Sequence, residues 1–600
     1  MGFILLVKNK AKSHYLALAS ALIVGLLYIG PQLVFMHSLG NKYQGIPMLQ
    51  TPNEDTYLAR IHEIIDGHPL VGSFPYYEYK DQWPISPPTG EMFYALPTLL
   101  FGIPLVTTLI VSKFILPLIL FLLIYALTYN LLPPARLFSR KISAVSAALL
   151  VLLGYDLVDY RSLLGFFLRG EPLGGSFLLW ARPVNPILGA IFLLAFLLGV
   201  WAIIQKTRYP KTAITSAGLS LSLMIMSYFF SWGIALSILG FLILIYFFKR
   251  EYKIVKRFGF IIAIAAILSS PYWYISYLSR QSPWYHDSIL RSGLIYTHYP
   301  LLNKVLLAIL GLYLVLVFIP IIKKIINRVK INLQDWHWFC LALILGSSWA
   351  LNQQVVTGVT VWPYHFVQYT IPLSMVVLVV LLHRIILNQF RFLWIFAIIS
   401  IIGSSLLFGF YSQVHTYRNS YDYYYRMQSL APVFAWFNRE TKDCVILVSN
   451  KTEVYKLTEL LPAFTHCNMY VSYSVFSLMP NERIYHNNLV NLRLQGISAE
   501  NIEAYMKANE TDMRVHLASN WQGMLWTPEF PDFHDYTLDE RIKKFPEGYK
   551  EFLNKDFETE LRKYKLDYVL SVGPLTDRVI KQLTSIKLAW QQADIYIYSI

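Results

Sequence analysis

The chain has 600 residues, 55% of them apolar and only 14% charged, with a mean hydropathy of +0.44. Soluble domains carry about 25% charge, so the composition excludes an ordinary soluble protein and leaves an integral membrane protein. The net charge of +15 invites a nucleic-acid partner, but residues 411–600 hold 21 Lys/Arg against 23 Asp/Glu. The excess therefore belongs to the apolar part, where it follows topology, and no nucleic acid is expected as a partner.

About eleven apolar stretches fill the first two thirds of the chain. Leu16–Phe35, Ile187–Ile204 and Phe392–Phe410 approach the roughly 20 residues that a helix needs to cross a bilayer. The basic loops are Lys8/Lys10/Lys12, Arg136/Arg140/Lys141, Lys206/Arg208/Lys211, Lys249–Arg257, Lys323–Lys330 and Arg384/Arg391. Placing them all in the cytoplasm gives one consistent serpentine. It predicts a multi-pass protein of the plasma (cytoplasmic) membrane, with a cytoplasmic N-terminus and residues 37–92, 160–183, 276–301, 350–366 and 411–600 outside. The first span has no small-residue cleavage site near its end and reads as a retained anchor. Met92–Phe101 reads as a shallow interfacial helix before a span over about 104–132, because counting it as a span would turn Arg136–Lys141 outward.

The serpentine predicts two modules: a membrane bundle with outer loops over 1–410, and an extracytoplasmic domain over 411–600. In the second, Cys444–Ser449, Cys467–Ser472, Asp567–Val572 and Asp594–Ser599 read as strands. Thr452–Phe464, Ser498–Asn509 and Leu538–Tyr564 read as helices. The alternation predicts an α/β domain with a largely parallel sheet. Cys340 sits in a span. Cys444 and Cys467 each open a strand and either pair across it in an oxidising compartment or serve as two small buried side chains. Asn450-Lys451-Thr452 and Asn509-Glu510-Thr511 fit the glycosylation triplet, which also arises by chance. There is no GxGxxG, P-loop, HExxH or CxxC.

The first outer loop holds Thr51-Pro52-Asn53-Glu54-Asp55. Thr51, Pro52 and Glu54 read as cap, first-turn proline and capping-box acid of a helix that Gly67-His68-Pro69 ends. Leu58, Ile61 and Ile65 form its apolar face. Glu54 is then either a capping carboxylate or a working one. Asp55 points about 100° away and is either a solvated acid at a helix start or a carboxylate facing a cavity. Such a carboxylate takes the proton that an acceptor hydroxyl loses as it attacks a sugar. A phosphate leaving group needs cations. Lys80, Arg161, Arg169, Arg182, Arg280 and Arg291 lie in outer loops; Lys80, Arg182 and Arg291 are the donor-phosphate candidates. Arg182 stands out because Arg182-Pro183-Val184-Asn185-Pro186 fixes it at the mouth of a span. Asn352, Gln354 and His365 are candidates for binding sugar hydroxyls, with a belt of interfacial residues as the alternative. Asp55, His62 and Asp66 share one helical face, but His62 lies about 10 Å from Asp55, so any metal ion at Asp55 needs Glu78, Asp81, Glu91 or another loop. The metal ligands stay unassigned.

These features resemble the GT-C superfamily of polytopic membrane glycosyltransferases. The resemblance rests on Glu54-Asp55, on Tyr57-Leu58-Ala59-Arg60 beside it, on Pro87-Pro88 and Glu91, on Arg182–Pro186, and on the outer C-terminal domain. It implies about eleven transmembrane helices, a polyprenyl-phosphate-linked sugar donor, and a lipid, glycan or protein acceptor on the outer face. It further implies Asp55 as general base in an inverting transfer, with Glu54 as its partner or a metal ligand, and Mg2+ or Mn2+ as a possible cofactor. The Trp-Trp-Asp signature of oligosaccharyltransferase catalytic subunits is absent, as is the lumenal repeat domain of eukaryotic protein O-mannosyltransferases. The alternatives are a non-catalytic envelope-assembly scaffold of the same architecture and, with its acids outside rather than at the bilayer midplane, a transporter.

Overall fold

The computed structural model describes residues 13–169, 177–327, 333–440, 442–449, 457–472, 475, 477–518, 536–583 and 585–600. Helical rods occupy the apolar stretches from Tyr15–Leu39 to Arg391–Met427. Seven of the described helices are long and apolar enough to cross a membrane, or eight if Tyr252–Leu268 and Ser270–Arg280, bent by 54°, make one broken span. The remainder of the expected eleven includes Leu137–Leu153 and Pro210–Ile225, with 17 and 16 residues, short of a full hydrocarbon crossing. The molecule is a multi-pass helical membrane protein. Thr89–Phe101 is a 13-residue helix stopped by Gly102 in the left-handed region, and the span proper follows as Leu105–Leu131. The Asn450–Thr452 triplet lies outside the described residues.

Four elements matter for the site: α1 (Glu54–Ile65), α2 (Leu105–Leu131), α3 (Arg391–Met427) and α4 (Leu457–Phe464). Helix α3 runs unbroken through residue 410, so the bundle and the C-terminal domain share one rod. Two short strands, β1 (Leu294–Tyr296) and β2 (Val359–Val361), pair antiparallel and tie two loops together.

The C-terminal sheet contains β3 (Val445–Val448), β4 (Asn468–Met469), β5 (Tyr568–Val572), β6 (Lys587–Gln592) and β7 (Ile595–Ser599), in the order β4-β3-β5-β7-β6. The sheet is mixed rather than largely parallel: β4, β3 and β5 run parallel, while β5–β7 and β7–β6 run antiparallel. The reason is the two-residue link between β6 and β7, with Ala593 at φ 52°, since a tight turn joins only antiparallel strands. Strand β6 is an exposed edge without the alternation that marks a half-buried strand, and the sequence pattern misses it.

Cys444 and Cys467 form a disulfide between β3 and the start of β4, with Cα atoms 4.5 Å apart. One apolar core then runs from Leu58 and Ile61 of α1, through Leu460 and Leu461 of α4, to Ile446, Leu570 and Ile597 in the sheet. The first loop and the C-terminal domain are therefore packed as one body. The cross-link closes a loop of 23 residues, which corresponds to about 3 kcal/mol of chain entropy. Cys444→Ala/Cys467→Ala is expected to accelerate proteolysis within 411–600 while leaving the bundle protected, as read by limited digestion and mass spectrometry.

Candidate active site

The first loop is held in place by Glu54. Its Oε1 accepts the backbone N–H groups of Gln50 (2.9 Å) and Thr51 (2.7 Å) and the Thr51 hydroxyl (2.8 Å). Its Oε2 accepts from Lys113 Nζ of α2 at 2.7 Å. Glu54 is fully buried and Lys113 is 3% exposed. Three donors meet Oε1 and one meets Oε2, so the buried carboxylate expected as catalytic partner or metal ligand anchors the loop to α2. The capping box also differs. The helix begins at Glu54, after Asn53 in the left-handed region (φ 65°), and Thr51 donates to Glu54 instead of capping the helix. At the other end, Gly67 has φ 104° and His68 N–H donates to the Glu63 carbonyl, the glycine stop read from the sequence.

With Glu54 fixed, the two flanks of the first turn are set. Asp55 is half-buried; its Oδ1 accepts the Thr56 N–H at 2.7 Å, and it acts electrostatically on Tyr423 and Tyr424 at the far end of α3. Tyr57, two residues on and about 160° around the helix, faces the bundle. Burial raises its pKa, with Arg182 the strongest opposing charge. Beside it, Arg60 donates to Glu91 at 2.5 Å and to Ser86 at 3.1 Å.

Arg182 sits at a mouth formed by the starts of three helices, Ile187–Ile204, Phe229–Phe248 and Val367–Leu381. Its Nε donates to the Asn185 carbonyl at 2.7 Å, and an Nη lies 3.5 Å from Gln368 Oε1. His365 Nδ1 is 3.1 Å from the Tyr228 hydroxyl, and its ring stands 5.0 Å from Phe230 and 5.2 Å from Trp362. Gly293 makes this possible: at φ 93°, a Cβ there would lie 1.6 Å from Trp362 Nε1. Asn185 Oδ1 is buried and takes no hydrogen bond from the described residues. The mouth thus combines a guanidinium and three positive helix ends with amides, an imidazole, a phenol and an unmet acceptor. That set suits an anionic headgroup next to hydroxyls.

The other candidates fall elsewhere. Lys80 is buried and pairs with Asp443 of the C-terminal domain at 2.5 Å. Arg291, with its pKa pushed down to about 10 by burial, donates to Asn481, Ser288 and the carbonyls of Ser477 and Met479. Both cations clamp loops to the C-terminal domain and are not at the mouth. Asn352 Oδ1 accepts from Leu301 N–H, and fully buried Gln354 donates to the Tyr299 carbonyl, so both shape the loop behind His365. Among the expected alternatives for metal ligation, Glu91 is taken by Arg60 and Asp81 by His68, and Glu78 accepts the Lys565 N–H. Among the described residues, His62, Asp66 and His466 alone form a group of three potential ligands, within 4.8 Å of one another. Lys113, Tyr228 and Gln368 belong to no motif that singles them out. Only Tyr57 carried a signal, through its place beside the acidic pair.

No protein-family model matches this sequence, and no curated protein does. Similar solved structures span nearly the whole chain. ArnT from Cupriavidus metallidurans bound to undecaprenyl phosphate is 10% identical, covering 98% of each chain, with a TM-score of 0.44. The same protein in the apo state is also 10% identical, covering 94% of this chain and 97% of that one, at 0.41. The Archaeoglobus fulgidus oligosaccharyltransferase in the apo form is 13% identical, covering 93% of this chain and 69% of that one, at 0.44.

Removing one partner of a buried ion pair costs about 3–5 kcal/mol. Lys113→Met is therefore expected to lower the thermal midpoint of the detergent-solubilised protein by several degrees. Glu54→Gln should do the same, and the double variant should lose less than the two losses added. Strict additivity in the double-mutant cycle would mean that the pair is not coupled.

Proposed function

We propose that this protein is a GT-C-type membrane glycosyltransferase that moves a sugar from a polyprenyl-phosphate donor to an acceptor hydroxyl on the outer face of the plasma membrane. The observation that carries the reading is the mouth at Arg182, a cation among sugar-compatible polar groups where three spans begin. A site at the ends of spans suits a lipid whose tail stays in the bilayer and whose headgroup rises into the loops.

The mechanism follows from the two flanks of α1. Arg182 holds the donor phosphate and stabilises the charge that grows on it as the bond to the anomeric carbon breaks. Tyr57, His365, Gln368 and Asn185 orient the sugar. Asp55 and Tyr57 stand about 160° apart on the first turn of α1, so this reading requires the donor sugar to reach from the Arg182 side round the start of the helix to the Asp55 flank. There the Asp55 carboxylate takes the proton of the attacking hydroxyl. Attack opposite the departing phosphate inverts the anomeric centre. The proton ends on Asp55 and the electron pair of the broken bond on the polyprenyl phosphate. On this reading the acceptor reaches Asp55 from the side of Tyr423 and Tyr424, the rings its charge acts on.

Purified wild type, Asp55→Asn and Arg182→Ala are to be compared in sugar transfer from a panel of polyprenyl-phosphate sugars, with lipids, glycans and peptides as acceptors. Asp55→Asn is expected to lose about 100-fold or more in kcat with unchanged donor binding and thermal midpoint. Arg182→Ala is expected to weaken donor binding as well as turnover. Full activity of Asp55→Asn would remove it from the chemistry, and unchanged donor binding in Arg182→Ala would remove the mouth.

A further inference from the structure

We propose that His62, Asp66 and His466 bind a divalent transition-metal ion, zinc fitting best, which staples α1 to the C-terminal domain. His62 and Asp66 are four residues apart on one face of the helix's last turn. His466 comes from the other body, between the end of α4 and Cys467 of the disulfide. His466 Nδ1 lies 2.6 Å from Asp66 Oδ1, and His62 Nδ1 lies 3.8 Å from Asp66 Oδ2. The two imidazoles stack at 5.2 Å between centroids. Zinc bonds of 2.0–2.2 Å in a tetrahedron place neighbouring ligand atoms about 3.3 Å apart, so the observed spacings bracket what an ion requires. The Thr465 carbonyl oxygen stands 2.8 Å from His62 Nδ1; that oxygen or a water completes four-coordination.

The donor set decides which ion. Two imidazole nitrogens and a carboxylate suit zinc and its neighbours in the transition series, whereas Mg2+ and Ca2+ take oxygen ligands. This ion is also remote from the proposed chemistry: His62 follows Asp55 by seven residues, about 10 Å along the helix axis. The group is only partly open to solvent, with His62 and Asp66 side chains 15% and 17% exposed and His466 35% exposed. An ion can enter from the His466 side and stay shielded on the other. Its role is to fix the joint between the loop and the domain.

The test uses full-length protein purified without a polyhistidine tag, stripped by a chelator, and titrated with zinc against a chromophoric competitor. Wild type is expected to bind one zinc ion per chain in this class, to show the visible bands of a tetrahedral site with cobalt(II), and to gain thermal stability with zinc. His466→Ala and the near-isosteric Asp66→Asn should bind about 100-fold more weakly or worse and lose both the bands and the stabilisation. His466→Cys, which restores a zinc ligand, should recover them. Equal zinc affinity in wild type and both variants would place any bound metal elsewhere. Absence of the tetrahedral cobalt spectrum in wild type would leave only an imidazole–carboxylate hydrogen-bonded cluster. Either result overturns the proposal.

Discussion

The buried contact between Glu54 and Lys113 sets the position of everything at this end of the bundle. A lysine one third of the way along a membrane-spanning helix cannot remain unpaired in an apolar surrounding. The carboxylate that neutralises it comes from a loop, so the loop is drawn down onto the bundle. The same carboxylate gathers the backbone of Gln50 and Thr51, which fixes where α1 starts and hence the direction of each side chain that follows. Electrostatic necessity inside the membrane thus becomes positional accuracy outside it.

From that fixed start, α1 divides its labour by angle. One flank carries Tyr57 and Arg60 toward the helix mouths. The opposite flank carries Asp55, His62 and Asp66 toward α3 and the C-terminal domain. The apolar side, Leu58 and Ile61, fills the core shared with α4 and the sheet. A helix of 12 residues therefore touches three surroundings, and each change of surroundings falls where 100° per residue requires it.

The membrane architecture, the short separate helix before α2, the helix stop at Gly67 and most strands of the sheet were legible, because each depends on composition, hydrophobic period or turn residues within a short window. The disulfide was legible as one of two options. The engagements of Glu54, Lys80 and Arg291 were not, since a charge in a loop looks the same whether it meets solvent, substrate or a partner hundreds of residues away. Lys113 is one charge inside an apolar run, and only the fold shows that it sits opposite Glu54. His466 had no local pattern at all; it gains meaning only when α4 is laid against α1. The edge strand β6 failed for a different reason: only Trp590 packs inward, against Trp436 and the core, and its other residues are exposed, so alternation has almost nothing to record.

Helix α3 contains 37 residues and so extends about 55 Å, against a hydrocarbon thickness of about 30 Å. Roughly 25 Å of rod stands clear of the membrane, braced where Tyr417 and Tyr421 lean on Phe35 beside the end of the first span. Because the rod is unbroken, adding one residue to its projecting part would swing the whole C-terminal domain by about 100° and lift it by 1.5 Å, tearing it from the first loop. Length can change in this stretch only by near-whole turns. The protein has no joint here to absorb an insertion, and the spacing between membrane and domain behaves as a graduated ruler.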